Sequence, residues 1–101
     1  MQEGASVFTA DSPGHYRLQA PLRIDSVRGL RLEGQKLLAA APQELTVDLS
    51  GVPAADSAGL ALLIDWLASA RALGKTLRYR QLPPALASLA RLSEVESLLT
   101  P

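Results

Sequence analysis

The chain has no cysteine and a single histidine, His15. The first absence excludes disulfides, thiolate nucleophiles and cysteine-type zinc sites. The second leaves too little imidazole for a multi-histidine metal site. An excess of one charge is missing too: ten basic residues balance ten acidic ones, and the pI is near 6.6. A nucleic-acid binder usually carries a basic surplus, and a neutral chain has little electrostatic pull toward anionic lipid. Nowhere do about 18 apolar residues follow one another, so no spanning helix is expected. The opening MQEGASVFTADSPG lacks the basic-then-apolar plan of a signal peptide. The expectation is a cytoplasmic protein with no nucleic-acid partner, no direct membrane insertion, no metal and no cofactor.

What is present points to a packed domain. Hydrophobic residues make up 48% and charged residues 20%, which argues against disorder. A single domain, residues 1–101, buries roughly two-thirds of its extended-chain surface. ASVFTA (5–10) and HYRLQAPL (15–22) read as two strands, with Asp11, Ser12, Pro13 and Gly14 supplying the turn of a hairpin. Next, Val27, Leu30, Leu37, Leu38 and Ala41 fall on one helical face. Asp25 or Ser26 can cap this helix, Gly34 on the same face allows close packing, and Pro42 ends it.

ELTVDLS (44–50) alternates Leu45, Val47 and Leu49 as a central strand, broken by Gly51 and Pro53. A long helix opens at Ser57 and closes at Gly74. KTLRYRQL (75–82) is a strand with Leu77 and Tyr79 on one face. After Pro83 and Pro84 the end is helical, with a break near Ser93, where Ser93 and Glu96 have capping-box spacing. The order β-β-α-β-α-β-α implies an α/β fold: a mixed, mostly parallel sheet of about four strands, an antiparallel hairpin at its edge, and helices packed on it.

Enzymatic readings fail on their own patterns. LGKT (73–76) looks like the end of a phosphate-binding loop, but Ser69 stands where the first glycine belongs, and a helix precedes it where a strand is needed. Asp56, Ser57 and His15 do not make a hydrolase triad, because Ala-Asp-Ser-Ala-Gly lacks the glycine before the serine. His15 reads as a strand-end surface residue, and Glu94 and Glu96 as solvated helix positions. Arg71, Lys75, Arg78 and Arg80 read as a solvated face by default, with an acidic partner patch as the sharper alternative. No polar cluster remains to carry catalysis, so no catalytic residue is assigned.

The Asp56-Ser57 pair before an almost wholly apolar helix is the informative feature. Ser57 suits an N-cap. A phosphate there would sit at the positive end of the helix dipole, among unpaired N–H groups. Ala58 and Gly59 keep the surface low, so a partner's backbone could approach. Leu60, Leu63, Ile64 and Leu67 share one face and read as the core stripe. Leu62 and Trp66 point away from it, which marks them as an exposed interface anchor.

LTVDLSGVPAADSAGLALLIDWLASARALGKTLRYRQLP resembles the heart of a STAS domain, the fold shared with anti-sigma-factor antagonists. The shared pattern is a strand ending Asp-Leu-Ser, a short loop, Asp-Ser-x-Gly-Leu, a helix, Gly-Lys, then a strand. Within the family, SAGLALLIDWLASARALGKTLRYRQLPPALASLARLSEVESLL is similar to the MlaB-type subunits of phospholipid transporters. That resemblance implies a non-catalytic cytoplasmic subunit, peripheral to the inner membrane, bound to an ABC transporter ATPase and through it to a permease. Asp56, Ser57, Ala58 and Gly59 would lie at or near the ATPase contact, and the ATPase would hydrolyse ATP. The alternative is an anti-sigma-factor antagonist, in which the serine after the Asp, here Ser57, is phosphorylated by a partner kinase. Ala58 stands where many of those carry a second small hydroxyl residue.

Overall fold

Alternation decides which side of each strand is buried. Leu45 and Val47 of β3 (Glu44–Asp48) and Leu77 and Tyr79 of β4 (Thr76–Arg80) lie inward, while Glu44, Thr76, Arg78 and Arg80 are exposed. With β1 (Phe8–Ser12) and β2 (His15–Leu18) they form one sheet of order β1-β2-β3-β4, in a computed structural model that describes residues 7–99. β1 and β2 pair antiparallel, and β2-β3 and β3-β4 pair parallel. Residues 5 and 6, which the pattern assigns to the first strand, lie outside the described residues. The hairpin turn is shorter than the sequence implies: Asp11 and Ser12 stay in β1, where the register shifts between Ala10 and Ser12. Gly14 makes the tight reversal at φ +80°, a conformation that costs glycine nothing. Its carbonyl accepts the Thr46 N–H at 2.7 Å.

The helices are α1 (Val27–Ala40), α2 (Ser57–Ala72), α3 (Pro84–Leu92) and α4 (Glu96–Leu99). α1 buries Leu30, Gly34 and Leu38 against the core and stops before Pro42. Ser26 occupies its N-cap position without capping: the Ser26 hydroxyl accepts from Arg23 N and donates to the Pro21 carbonyl, bracing the preceding loop. α2 closes as expected at Gly74, φ +71°. Lys75 N bonds the Ala70 carbonyl at 2.8 Å and Gly74 N the Arg71 carbonyl at 3.0 Å, the paired bonds of a Schellman closure. The break at Ser93 is a second closure of this kind, with Glu94 at φ +59° and Val95 N bonded to the Ala90 carbonyl at 2.9 Å.

Lys75 is not part of a solvated basic face. Its ammonium donates to the carbonyls of Leu38 and Ala41, placing a cation against the orphan acceptors at the end of α1. The Gly-Lys pair thus ends two helices, α2 through its backbone and α1 through a side chain.

The core stripe of α2 is rotated from its expected position. Gly59, Leu60, Leu62, Leu63, Trp66 and Ala70 are buried, while Ile64 and Leu67 are only partly so. Trp66 retains 2% and Leu62 5% of their exposure, so neither forms the surface anchor that the wheel assigns to them. The reason lies in α1. A Cβ at Gly34 would stand 2.1 Å from the Trp66 indole; its absence is the socket that receives the ring. Phe8 flanks the indole with a ring-centroid distance of 5.7 Å. The indole N–H makes a long contact, 3.4 Å, to the Arg31 carbonyl.

Candidate partner-docking site

The Asp-Ser pair divides its roles differently from the sequence expectation. Asp56, not Ser57, is the N-cap of α2. One carboxylate oxygen accepts from Ala58 N at 2.9 Å and Gly59 N at 3.2 Å. The other accepts from Ile24 N at 3.0 Å, across 32 residues of chain. These amides, Ile24 foremost, hold the Asp56 carboxyl below the usual carboxylate range.

Gly59 serves the same junction from the other side. Leu22 forms an isolated parallel bridge with Ala55, and its carbonyl accepts Asp56 N at 3.0 Å. A Cβ on Gly59 would lie 2.1 Å from that same carbonyl oxygen. The glycine of Asp-Ser-x-Gly is therefore required by the close approach of α2 to the Leu22 backbone. It is buried and is not a contact surface for a partner.

Ser57 is left exposed as the first residue of α2. Its hydroxyl is free of the capping duty. Two of the amides at this helix start, Ala58 N and Gly59 N, are already bound by Asp56 and are not left for a phosphate on Ser57. Ala58, half-buried, turns into a groove between α1 and α2. That groove is lined by Ile24, Val27 and Arg28 on one side and by Ala58, Ala61, Leu62 and Asp65 on the other. Arg31 closes its far end through an ion pair with Asp65 at 3.4 Å.

Of the six residues assigned to partner binding, Ala58 and the nearly buried Leu62 line this groove. Asp56 is tied to its wall through Ile24 N, and Ser57 is exposed at the start of α2. Gly59 and Trp66 lie in the interior. Ile24, Val27 and Arg28 line the groove without any motif in the sequence that marks them. Their tie to the site is the Asp56–Ile24 bond, a long-range contact that no local periodicity announces.

The remaining polar groups do structural work. Asp48 accepts from Ser50 N at 2.7 Å, and this bond, aided by Arg17 and Arg80, lowers its carboxyl below the ordinary range. Tyr79 donates its hydroxyl to the Leu63 carbonyl at 2.7 Å, and burial, with Asp65 nearby, pushes the phenol well above its usual value. His15 is exposed at the start of β2. Among the described residues, no group of three or more His, Asp or Glu side chains could hold a metal ion, and no helix is long and apolar enough to cross a membrane.

The family profile described as Mlab, STAS domain matches residues 6–100. No curated protein matches the chain in sequence. Among solved structures, a candidate anti-sigma factor antagonist of Thermotoga maritima superposes with a TM-score of 0.73 at 15% identity, over 92% of this chain and 81% of that one. The Bacillus cell fate determinant SpoIIAA in its phosphorylated form gives 0.66 at 14% identity, over 92% of this chain and 86% of that one. Unphosphorylated SpoIIAA, an anti-sigma factor antagonist, gives 0.62 at 14% identity, over 84% of this chain and 80% of that one. At these identities the likeness establishes the α/β fold, with its four-stranded mixed sheet.

Proposed function

Because this chain belongs to the STAS family, in the group whose profile carries the description Mlab, we propose that it is the non-catalytic subunit that docks on the ATPase of a phospholipid-moving ABC transporter. STAS domains are protein-interaction modules. In this reading the chain sits in the cytoplasm, peripheral to the inner membrane. It stabilises or regulates an ATPase that is coupled to a permease and helps maintain outer-membrane lipid asymmetry. ATP hydrolysis belongs to the ATPase.

The observation that carries the reading is the helix start at Ser57. Asp56 is fully engaged in holding the backbone together. What it presents outward is a small hydroxyl residue, followed by Ala58 and Ala61, beside a groove. That surface suits close approach of another protein's backbone and offers no reactive cluster. The test is titration of the purified transporter ATPase with this chain by calorimetry. The expected result is a saturable complex that Ser57→Ala weakens moderately and Ser57→Glu weakens at least about tenfold, because a buried carboxylate would be desolvated beside Asp56. Absence of any complex with the wild-type chain rejects the proposal.

A second reading, an anti-sigma-factor antagonist switched by phosphate on Ser57, is favoured by the exposure of that hydroxyl and by the fold shared with SpoIIAA. It expects phosphoserine at position 57 in the protein taken from growing cells, and a kinase or anti-sigma factor as the bound partner. Recovery of the ATPase with unmodified Ser57 decides against it.

A further inference from the structure

We infer that the docking segment of the partner seats in the α1–α2 groove against Ile24, and that it carries an apolar side chain flanked by a carboxylate that pairs with Arg28. The inference rests on the ATPase reading above and specifies the chemistry of the segment that the ATPase must present.

Ile24 is 74% exposed on the loop between β2 and α1. It is also held in place. Its own N–H is bound by Asp56 at 3.0 Å, and two residues on, the Ser26 hydroxyl bridges Arg23 N at 3.0 Å and the Pro21 carbonyl at 2.7 Å. An exposed isoleucine on a loop braced at both ends loses little freedom when a partner covers it, and such preorganisation favours binding. Val27, Ala58, Ala61 and the nearly buried Leu62 continue the apolar surface from Ile24 into the groove. The two alanines leave depth for one inserted side chain.

Charge gives the second half of the specification. Arg23 and Asp25 flank Ile24 and offset one another in sign. Arg31 is engaged by Asp65. Arg28 is exposed on the groove wall and has no ion pair or hydrogen bond among the described residues. The groove therefore holds one unspent positive charge at its rim, next to an apolar floor. A segment with the reverse arrangement, an apolar anchor beside an Asp or Glu, completes it. The same Asp56 carboxylate that caps α2 also positions the anchor, so the helix start and the Ile24 loop present one continuous surface.

The test measures binding of the purified ATPase to five chains: wild type, Ile24→Glu, Arg28→Glu, Arg28→Ala, and Leu92→Glu as a control at a residue 82% exposed and outside the groove. All three substituted positions are exposed, and equal melting temperatures verify that the variants fold. The expected result is a loss of about thirtyfold or more for Ile24→Glu, about tenfold for Arg28→Glu, and none for Leu92→Glu. Raising salt should weaken the wild-type complex more than the Arg28→Ala complex. Failure of the wild-type chain to bind the ATPase overturns the ATPase reading and this inference with it. Wild-type binding that both groove variants retain overturns the groove alone. Loss in Ile24→Glu without loss in Arg28→Glu overturns the carboxylate half of the proposal.

Discussion

Gly34 and Gly29 lie in the same helix, yet the structure assigns opposite signs to the same substitution. In a helix interior, Gly→Ala is ordinarily worth about 1 kcal/mol in favour of folding. At Gly29 an added Cβ meets nothing within 4 Å, so Gly29→Ala should stabilise the chain by up to that amount. At Gly34 the new methyl would stand 2.1 Å from Cε2 of Trp66. Relieving that overlap requires a displacement of about 1.5 Å to reach ordinary carbon–carbon contact. The neighbour is a rigid ring wedged between α1 and Phe8, not the flexible tip of a side chain. Overpacking of this kind costs about 1–3 kcal/mol, and at so short a distance the upper end applies. Gly34→Ala should therefore destabilise by about 1–2 kcal/mol net, lowering Tm by roughly 5–15 °C for a domain of this size. Urea and thermal unfolding followed by far-UV circular dichroism measure both variants. Trp66→Leu supplies the second arm of a cycle: it costs stability itself, and in its background Gly34→Ala should become neutral or favourable, a coupling of about 2 kcal/mol. If Gly34→Ala stabilises the wild-type chain as much as Gly29→Ala does, the indole is not seated over Gly34, and the burial of Trp66 described above is wrong.

Other substitutions test the helix start and the helix ends. Ser57→Ala should change stability by no more than about 0.5 kcal/mol, since Asp56 holds the cap; a loss as large as that of a removed N-cap in urea unfolding would return the cap to Ser57. Asp56→Asn should lower stability at neutral pH. The depressed Asp56 carboxyl contributes stability that is complete above its ordinary value of 3.8 and is lost as pH falls through the lower folded-state value. The two chains should thus converge in acid, and a gap that stays constant from neutral pH down through that range would contradict the assignment. Lys75→Met should cost about 1 kcal/mol by leaving the carbonyls at the end of α1 without their cation, as read by chemical denaturation; an unchanged midpoint would show that the ammonium is only decorating that terminus.

The sheet and the helix order were legible because strand alternation at Leu45, Val47, Leu77 and Tyr79 and the turn residues around Gly14 and Gly74 are local signals. The face of α2 was not. Its sequence is apolar almost all round, so a helical wheel has no strong preference, and the choice was made by two residues without side chains. Gly34 opened the slot for Trp66, and Gly59 let the helix start settle on the Leu22 backbone. Both are contacts between segments far apart in the chain. The Asp-Ser pair was legible as a special helix start, but which member caps it depends on Ile24, whose N–H fixes the second carboxylate oxygen. The role of Lys75 is hidden in the sequence for the same reason: its partners lie more than 30 residues earlier, at the end of α1.

Among the described residues, the order of the sheet leaves β1 and β4 as its two margins, each with one side not paired to another strand. Each margin is defended. β4 is five residues long and alternates its buried Leu77 and Tyr79 with exposed Thr76, Arg78 and Arg80. β1 carries an irregularity between Ala10 and Ser12, where Asp11 sits exposed. Short, charged and bulged edges resist strand-to-strand accretion. Arg78 and Arg80, read in the sequence as a solvated face, thus have a second consequence: on a margin strand they put charge where a second copy's strand would have to pair.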